Sequence, residues 1–347
     1  MATRVQSLAT ALPKHVITRD VTREGLVRTV PPHTVGRYLG MVEASGIDTR
    51  ASVLPVEELF RLSDVGERNT QYVEHAIALG EEVSRRALAD AKLAASDVDV
   101  FVTASCTGYM MPSLEARLAP RLGTSPDVRR VPLTELGCSA GAASLGLASD
   151  LLAGGRSRNA LVLSVELSSL CLQTTDLEMM DVVGALLFGD GAAAAVVSAD
   201  ATRGLEIVGS RSVLWPSSLA ELGMRLTPTG LRLGLSTALV RLVRGNLRKT
   251  VDDFLARHGV ALPDLRFFAM HPGGPSILKA VAEALELVEG ALRPSWDVWH
   301  RCGNMSSATV FFILDEIART APPKPGDLGL ALAFGPGVSC ELVLLLA

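Results

Sequence analysis

The chain has 347 residues, of which 48% are hydrophobic and 4% are aromatic, and its formal net charge is -4. This length allows two domains of about 150 residues each. The composition is that of a globular protein and carries no signature of disorder. No run of Lys or Arg is interleaved with aromatic residues, so nucleic acid is excluded as an expected partner.

The cysteines give no sign of a disulfide framework or of a structural zinc site, because they are odd in number and widely spaced. We expect free thiols in a reducing compartment. The first residues lack the charged and apolar regions of a signal peptide, and no stretch of 18 apolar residues occurs, so we expect a cytoplasmic protein without a membrane span. The five cysteines are Cys106, Cys138, Cys171, Cys302 and Cys340.

The first half of the chain alternates predicted strands with predicted helices. Residues 67–93 carry apolar side chains at helical spacing, and residues 98–104 form a β-branched run that is typical of a buried strand. This order favours an α/β layer structure. Further strands are predicted at 5–12 and 160–165, a loop at 105–112 and a helix at 113–122.

The second half of the chain repeats the first. Residues 92–105 align with residues 259–272 without a gap, and both contain an acidic residue, an apolar strand and a loop at the same offsets. Residues 187–191 match residues 333–337 in the same way, and each turn is expected to join two apolar strands. A duplication of about 150 residues predicts two similar domains rather than a solenoid. The predicted domains are residues 1–202 and residues 203–347.

Cys138 is the first candidate for chemistry. It follows a short apolar run and Gly137, and the next dozen residues are mostly small or aliphatic. This pattern predicts a strand, a sharp turn and a buried helix. A thiol at a helix N-terminus faces free backbone N–H groups and the positive end of the helix dipole, and both favour the thiolate. The alternative is a small buried cysteine that fills a gap in the core.

His271 and Asn304 are the second and third candidates. His271 follows the predicted strand that ends at Met270, and Asn304 precedes a predicted helix in the position that Cys138 has in the first half. The duplication thus puts Cys, His and Asn on equivalent turns. Taken singly, His271 could be structural and the segment around Asn304 could be a helix cap.

Taken together, five motifs spread over nearly the whole chain resemble the type III polyketide synthases, the chalcone synthase-like branch of the thiolase-fold condensing enzymes. Within that family the second half looks most like bacterial synthases of alkylpyrones and alkylresorcinols. The resemblance implies a thiolase-like α/β fold with duplicated αβαβα five-layer architecture, and a homodimer. The motifs are Leu136-Gly-Cys138, Leu187-Phe-Gly-Asp-Gly-Ala192, His271-Pro-Gly-Gly-Pro275, Gly303-Asn-Met-Ser-Ser-Ala308 and Phe334-Gly-Pro-Gly337.

The resemblance also implies the reaction, which is the condensation of an acyl-CoA starter with malonyl-CoA units, without a metal or redox cofactor. Cys138 would take the acyl group from CoA and would form an ion pair with His271. His271 and Asn304 would bind the thioester oxygen of malonyl-CoA while CO2 leaves. The starter is expected to be a medium or long fatty acyl group, and the product an alkylpyrone or alkylresorcinol.

Further residues are carried over from the family to the pocket. Phe188 matches a gatekeeper between the CoA tunnel and the cavity, and Leu233 stands where the second gatekeeper is usually Phe. Met111 matches the residue that crosses the dimer interface. CoA is expected to contact Arg37, Gly273 and Ser276, although an acyl carrier protein is an alternative donor. The remaining predicted cavity residues are Cys106, Glu166, Ser168, Cys171, Gly184, Met224 and Ser306.

Three alternatives remain open at this stage. A synthase that uses malonyl-CoA alone to make tetrahydroxynaphthalene is favoured by Cys106 and Cys171, because some bacterial relatives of that kind have cysteines in the cavity. A ketoacyl-ACP synthase would share the fold, but that branch usually has His-Gln-Ala-Asn where this chain has His271-Pro-Gly-Gly274. A non-catalytic partner subunit would be expected to lack the nucleophile.

Overall fold

The computed structural model describes residues 2–175 and 177–347. The strands are β1 Thr3–Ala11, β2 His15–Thr18, β3 Thr49–Ser52, β4 Val100–Ala104, β5 Arg129–Leu133, β6 Asn159–Leu167, β7 Asp190–Ser198, β8 Leu205–Leu214, β9 Leu222–Thr227, β10 Gly230–Leu235, β11 Leu265–Met270, β12 Leu328–Gly335 and β13 Ser339–Leu346. The helices are α1 Arg19–Thr29, α2 Val35–Ser45, α3 Val56–Leu59, α4 Val65–Ala91, α5 Leu114–Leu122, α6 Ala140–Ala153, α7 Met179–Leu187, α8 Ala238–Ala256, α9 Pro275–Ala284, α10 Arg293–Cys302 and α11 Thr309–Thr320.

The main sheet has the strand order β11-β12-β13-β8-β1-β7-β6-β4-β5. In the first half, β4 runs parallel to β6, and β6, β7 and β1 follow in antiparallel pairs. In the second half, β11 runs parallel to β12, and β12, β13 and β8 follow in antiparallel pairs. The two halves therefore share one pairing pattern, as the sequence repeat predicts, and they meet where β1 pairs with β8.

The helices form three layers around the two halves of the sheet. Alternate strand residues point to opposite faces, and this divides the buried apolar residues into separate clusters. One cluster joins α6 and α11 to the inner faces of both halves, for example through Leu145, Phe311 and Ala193. A second cluster packs α4 and α5 on the outer face of the first half, and a third packs α8 and α9 on the outer face of the second half. The order of layers is thus αβαβα.

The long helix α4 illustrates how local sequence sets the boundaries. It begins after Asp64, whose carboxylate accepts hydrogen bonds from the backbone N–H groups of Gly66 at 2.7 Å and Glu67 at 3.0 Å. It ends at Lys92, which adopts a left-handed conformation with φ of 56°. An N-cap carboxylate satisfies donors that a helix start leaves free. The predicted helix at 67–93 is confirmed within two residues at either end.

Two features differ from the sequence-based expectation. The turn at 187–191 does not join two strands, because helix α7 precedes it and only β7 follows. A hairpin of β9 and β10, separate from the main sheet, was not predicted. It faces α7, and a cavity lies between them. The predicted helix at 113–122 and strand at 160–165 correspond to α5 and β6.

Candidate active site

Cys138 lies in a single turn of 3-10 helix, Gly137–Ser139, which leads directly into α6. The turn is pressed against the Gly335–Pro336 segment between β12 and β13. Gly137 has φ of +53°, and a Cβ atom there would stand 2.8 Å from Pro336. A Cβ atom on Gly335 would stand 2.1 Å from the Ser139 hydroxyl. The two glycines therefore let segments from both halves of the chain approach closely around the thiol.

The Asn304 side chain lies within hydrogen-bonding distance of the Cys138 thiol. Its Oδ1 accepts a hydrogen bond from the backbone N–H of Ser306 at 2.7 Å and lies 4.0 Å from Cys138 Sγ. No described residue accepts a hydrogen bond from its Nδ2 group. Because the amide oxygen is already occupied by a backbone donor, the amide nitrogen remains available as a donor to a substrate.

His271 is buried at the end of β11, and its backbone N–H donates to Leu332 O at 2.8 Å. Neither ring nitrogen has a hydrogen-bond partner among the described residues. Burial lowers the pKa of His271 to about 3, so the imidazole is neutral at pH 7. Buried polar atoms without a partner are rare in folded proteins. Two of them on one ring indicate that this side chain is held for a ligand rather than for the fold.

The expected ion pair between Cys138 and His271 is not present in the structure. Burial raises the pKa of Cys138 to about 11; hydrogen bonds with Ser306 and Asn304 lower it, and the charge of Glu166 raises it. The His271 ring is not hydrogen-bonded to the Cys138 thiol in the described residues, and the ion pair between the two stays a prediction. The single turn before α6 does not offset the loss of solvation.

Glu166 forms a buried hydrogen-bond network behind the cavity wall. Its carboxylate accepts from the Ser307 hydroxyl, from the Thr107 hydroxyl at 3.0 Å and from the Cys106 backbone N–H at 3.1 Å. Burial raises the pKa of Glu166, and these hydrogen bonds lower it. Cys106 Sγ lies 3.6 Å from Glu166 Oε2 and 3.3 Å from the Ser306 hydroxyl. The network thus connects the Glu166 carboxylate to the group of side chains around Cys138.

A cavity of about 110 Å³ opens beside Cys138, between α7 and the β9–β10 hairpin. Its volume is below the 300 to 1,000 Å³ that is typical of small-molecule sites. Most of the pocket residues predicted from the sequence lie on its wall. They are Cys106, Cys138, Ser168, Cys171, Gly184, Phe188, Met224, Leu233 and Ser306.

The other predicted residues lie outside this wall. Glu166 is behind it. Met111 is 77% exposed on the loop after β4, and Arg37 is exposed on α2 with its guanidinium 3.6 Å from Met179 Sδ. Gly273, with φ of +58°, and the exposed Ser276 lie at the start of α9. The structure therefore does not bring these positions onto the cavity wall, and the predicted catalytic residues His271 and Asn304 do not line it either.

Sequence reasoning missed several polar residues of the site. Arg50 from β3, Thr107 and Asp181 line the cavity. Asp181 on α7 forms an ion pair of 3.0 Å with Arg232 on β10, which fastens the hairpin to the opposite wall. None of these residues belongs to a recognisable motif, because their partners are distant in sequence. Only the apolar alternation of 222–226 and 231–235 could have signalled the hairpin.

Other kinds of site are absent from the described parts of the chain. Residues 2–175 and 177–347 contain no group of three or more His, Cys, Asp or Glu side chains arranged to hold a metal ion. No helix in these ranges has both the length and the apolar character needed to cross a membrane. All five cysteines are free.

Comparison with known proteins identifies the family. The chain is 41% identical to 1,3,6,8-tetrahydroxynaphthalene synthase of Streptomyces peucetius subsp. caesius, over 99% of this chain and 93% of the relative. It is 30% identical to the alpha-pyrone synthesis polyketide synthase-like Pks18 of Mycobacterium tuberculosis, over 98% and 90% respectively. The crystal structure of 1,3,6,8-tetrahydroxynaphthalene synthase from Streptomyces coelicolor A3(2) superposes with a TM-score of 0.95 at 33% identity, covering 100% of this chain and 99% of that one.

Two family models cover almost the whole sequence. The model of the N-terminal domain of chalcone and stilbene synthases matches residues 2–201, and the model of the C-terminal domain matches residues 206–347. The predicted thiolase-like fold is confirmed by the likeness to solved type III polyketide synthases. The resemblance found in the motifs is likewise confirmed, and the chain belongs to the chalcone and stilbene synthase family of type III polyketide synthases, condensing acyltransferases that act on CoA thioesters.

Proposed function

We propose that Cys138, His271 and Asn304 carry out the condensation in this chain. Cys138 attacks the thioester carbonyl of a starter, forms a new thioester and releases CoA as a thiol. Malonyl-CoA then loses CO2, and the resulting enolate attacks the acyl carbon on Cys138, so that the Cys138 sulfur leaves. The chain grows by one two-carbon unit, and its thioester is now to CoA. The protein neither oxidises nor reduces the substrate in these steps.

The neutral state of His271 supports its role as the proton acceptor for Cys138. A buried thiol with a raised pKa needs a base before it can attack, and an unprotonated imidazole has a free acceptor nitrogen. Proton transfer between the two produces a thiolate and an imidazolium, which stabilise each other. The ion pair predicted from the sequence then belongs to the activated state.

The free donors of Asn304 and His271 support stabilisation of the enolate. Asn304 offers its Nδ2 group, and His271 offers a ring N–H, while both are buried away from competing water. Donors held in place in this way contribute most where negative charge develops, roughly 3 to 4 kcal/mol for one oxyanion donor. The thioester oxygen of malonyl-CoA acquires that charge as CO2 leaves.

The donor of the acyl groups is proposed to be CoA, which would approach along Arg37 and along Gly273 and Ser276 at the start of α9. A helix start with free N–H groups favours the negative charge of phosphates. The exposure of Arg37 and Ser276 fits an entrance rather than a reaction site. An acyl carrier protein remains an alternative donor, and loading of Cys138 from each donor, read by intact-protein mass, would distinguish them.

For the product, we propose a tetrahydroxynaphthalene made from malonyl-CoA alone. The observation that carries this proposal is the small cavity of about 110 Å³, which has three thiols, Cys106, Cys138 and Cys171, on its wall. A short malonyl-derived chain fits such a volume better than a long alkyl chain does. The likeness to tetrahydroxynaphthalene synthases at 41% and 34% identity supports the same choice.

An alkylpyrone from a fatty acyl-CoA is the second candidate, and one observation favours it. A second cavity of about 80 Å³ shares Leu59 and Ala185 with the first and is walled by apolar side chains such as Phe60 and Leu186. Each CH2 group of a starter buried there would gain about 0.8 kcal/mol. Leu233, in place of an aromatic gatekeeper, would also leave more room for such a chain.

The test compares kcat/KM for malonyl-CoA alone with that for acyl-CoA starters from C6 to C16 and for coumaroyl-CoA, with products identified by mass spectrometry. We expect the naphthalene from malonyl-CoA to form fastest. Cys138→Ala is the inactive control, and Leu233→Phe should lower kcat/KM for C12 to C16 starters more than for malonyl-CoA. A wild-type preference for long starters, with pyrones as the main products, would favour the second candidate instead.

A further inference from the structure

Arg50 is a buried cation whose side chain fastens the end of α7. It lies on β3, is 4% exposed and forms part of the wall of the reaction cavity. Its Nη1 group donates to the backbone carbonyl oxygens of Ala185 and Phe188, the latter at 3.3 Å, and its Nη2 group donates to the Thr22 hydroxyl at 2.6 Å. The last carbonyl groups of a helix lack intrahelical donors, and the helix dipole favours a cation there.

The segment that Arg50 holds is bonded directly to Asn304. The Asn304 N–H donates to Leu187 O at 2.8 Å, and Asn304 O accepts from the Gly189 N–H at 2.9 Å. Asn304 therefore pairs with Phe188 like a residue in a neighbouring strand. Its backbone position is set by the same turn that carries the predicted gatekeeper.

The turns at Gly303 and Gly189 approach Arg50 too closely to accept an added Cβ atom. A Cβ atom on Gly303, which precedes Asn304, would stand 2.6 Å from Leu187 O and 3.0 Å from Arg50 Cγ. A Cβ atom on Gly189 would stand 3.0 Å from Arg50 Cβ. The aliphatic part of Arg50 thus packs between the two turns, while its guanidinium holds one of them.

The charge of Arg50 has no salt-bridge partner among the described residues, and the carboxylate that influences it is Asp190. Burial lowers the pKa of Arg50 to about 10, and the charge of Asp190 raises it, so the guanidinium is charged at neutral pH. Burying a cation without a close carboxylate is costly. A neutral residue would fill the same space at a lower desolvation cost. The presence of a buried arginine here therefore needs an explanation that a surface arginine does not.

We propose that Arg50 is a positioning residue for malonyl-CoA decarboxylation. It fixes the Ala185–Phe188 end of α7, and through the backbone pairing of Phe188 with Asn304 it holds the Asn304 amide where the enolate oxygen develops. The inference rests on the proposed role of Asn304. Because the proposed role of the Asn304 donor is in decarboxylation, loss of Arg50 should affect decarboxylation more than acylation of Cys138.

The test uses Arg50→Lys, which keeps the charge but cannot hold two carbonyl groups and the Thr22 hydroxyl with one ammonium group. We expect kcat for malonyl-CoA decarboxylation to fall about tenfold to a hundredfold, as small misplacements of catalytic groups do. The KM for malonyl-CoA should change by less than about twofold. The rate at which iodoacetamide alkylates Cys138 should change by much less than the decarboxylation rate, because Asn304 makes only a long contact of 4.0 Å with the thiol. Arg50→Gln, which has amide donors and no charge, should behave in the same way.

Arg68→Lys is the matched control. Arg68 is also 4% exposed and also donates to two backbone carbonyl oxygens, those of Leu62 and Leu170, but it has no contact with the Asn304 turn. We expect Arg68→Lys to lower the melting temperature as Arg50→Lys does. It should not change the ratio of the decarboxylation rate to the alkylation rate. An equal change of that ratio in both variants would overturn the proposal. Unfolding of both Arg50 variants while Arg68→Lys folds would show a purely structural role and would also overturn it.

A double-mutant cycle separates this proposal from the function on which it rests. In an Asn304→Ala background, Arg50→Lys should cause no further loss of decarboxylation, because residues that act through one another are not additive. A further loss of the same size as in wild type would contradict the positioning role. If Asn304→Ala by itself retained full decarboxylation, the proposed role of Asn304 would fail, and the cycle would show this independently of Arg50.

Discussion

Burial acts in opposite directions on the two titratable groups of the site. Burial raises the pKa of Cys138 to about 11, which favours the neutral thiol. It lowers the pKa of His271 to about 3, which favours the neutral imidazole. Each charged form is unfavourable alone, because a low-dielectric site disfavours an isolated ion. Formed together by proton transfer, the two charges attract each other. We therefore predict that a reactive Cys138 requires His271 at neutral pH.

The pH dependence of Cys138 alkylation tests this requirement. In the wild-type protein we expect iodoacetamide to inactivate with a midpoint below the value of about 8.5 for a free thiol. In His271→Ala the midpoint should move up towards the value of about 11 to which burial raises the pKa of Cys138. Alkylation at pH 7 should then be at least about tenfold slower, since each pH unit below a pKa reduces the thiolate tenfold.

Inactivation is followed by loss of decarboxylation and by the mass of the Cys138 peptide. Cys340, which is buried in the second half and has a strongly raised pKa, provides an internal reference thiol in both proteins. Identical midpoints in wild type and His271→Ala would show that His271 does not activate the nucleophile.

At the scale of elements, the contact between α6 and the turn Ser306–Ala308 decides how Cys138 and Asn304 meet. Gly141 in the first turn of α6 lies against Ser307, and a Cβ atom there would stand 2.1 Å from Ser307 O and 2.7 Å from Val310 Cγ1. The small residues after Cys138 therefore serve this close approach of two helices. An added methyl group must push them apart.

Gly141→Ala should destabilise the protein by about 1 to 3 kcal/mol, the usual cost of overpacking a core, and should lower decarboxylation because Asn304 moves with the turn. Gly154→Ala, just after the same helix, is the control. Nothing lies within 4 Å of its added Cβ atom, and Gly154 already has φ of -68°. It should be neutral or stabilising by up to about 1 kcal/mol. Urea unfolding measures both, and equal destabilisation would contradict the close-packing argument.

The elements differ in how well the sequence predicted them. The helix α4 has apolar residues at helical spacing, and the strand β4 is a continuous β-branched run. Their positions therefore follow from local sequence. The hairpin of β9 and β10 has alternating apolar residues too, yet it lies outside the segments that the sequence repeat matches. A prediction based on duplication therefore misses it, although it forms one wall of the cavity.

At the scale of the whole molecule, the motifs predicted which side chains would form the site but not the contacts that place them. Cys138 comes from the first half and Asn304 from the second, and the duplication brings both to the junction. The charge state of His271 depends on complete burial, which no local pattern reveals. The role of Arg50 depends on carbonyl groups 135 and 138 residues away along the chain. Such contacts become visible only in the folded structure.

The expected homodimer requires an interface on the surface of the molecule. Strand β5 is an edge of the main sheet, pairs only with β4 and has exposed residues on much of its length. An unpaired edge offers free backbone groups to another chain. Tyr109 and Met111, on the neighbouring loop after β4, are 62% and 77% exposed. Exposed large apolar side chains beside a free strand edge indicate a protein interface.

We therefore predict that the wild-type protein has twice the chain mass in light scattering and that Met111→Asp shifts it to the monomer, because a buried unpaired carboxylate strongly disfavours association. Val288→Asp is the matched control, since Val288 is 80% exposed on the turn after α9, far along the chain from β5. It should remain dimeric. If Met111 also completes the partner's cavity, Met111→Asp should lose condensation activity at concentrations where it is monomeric while Val288→Asp retains it. A monomeric wild type, or dissociation by both substitutions alike, would rule out an interface at β5.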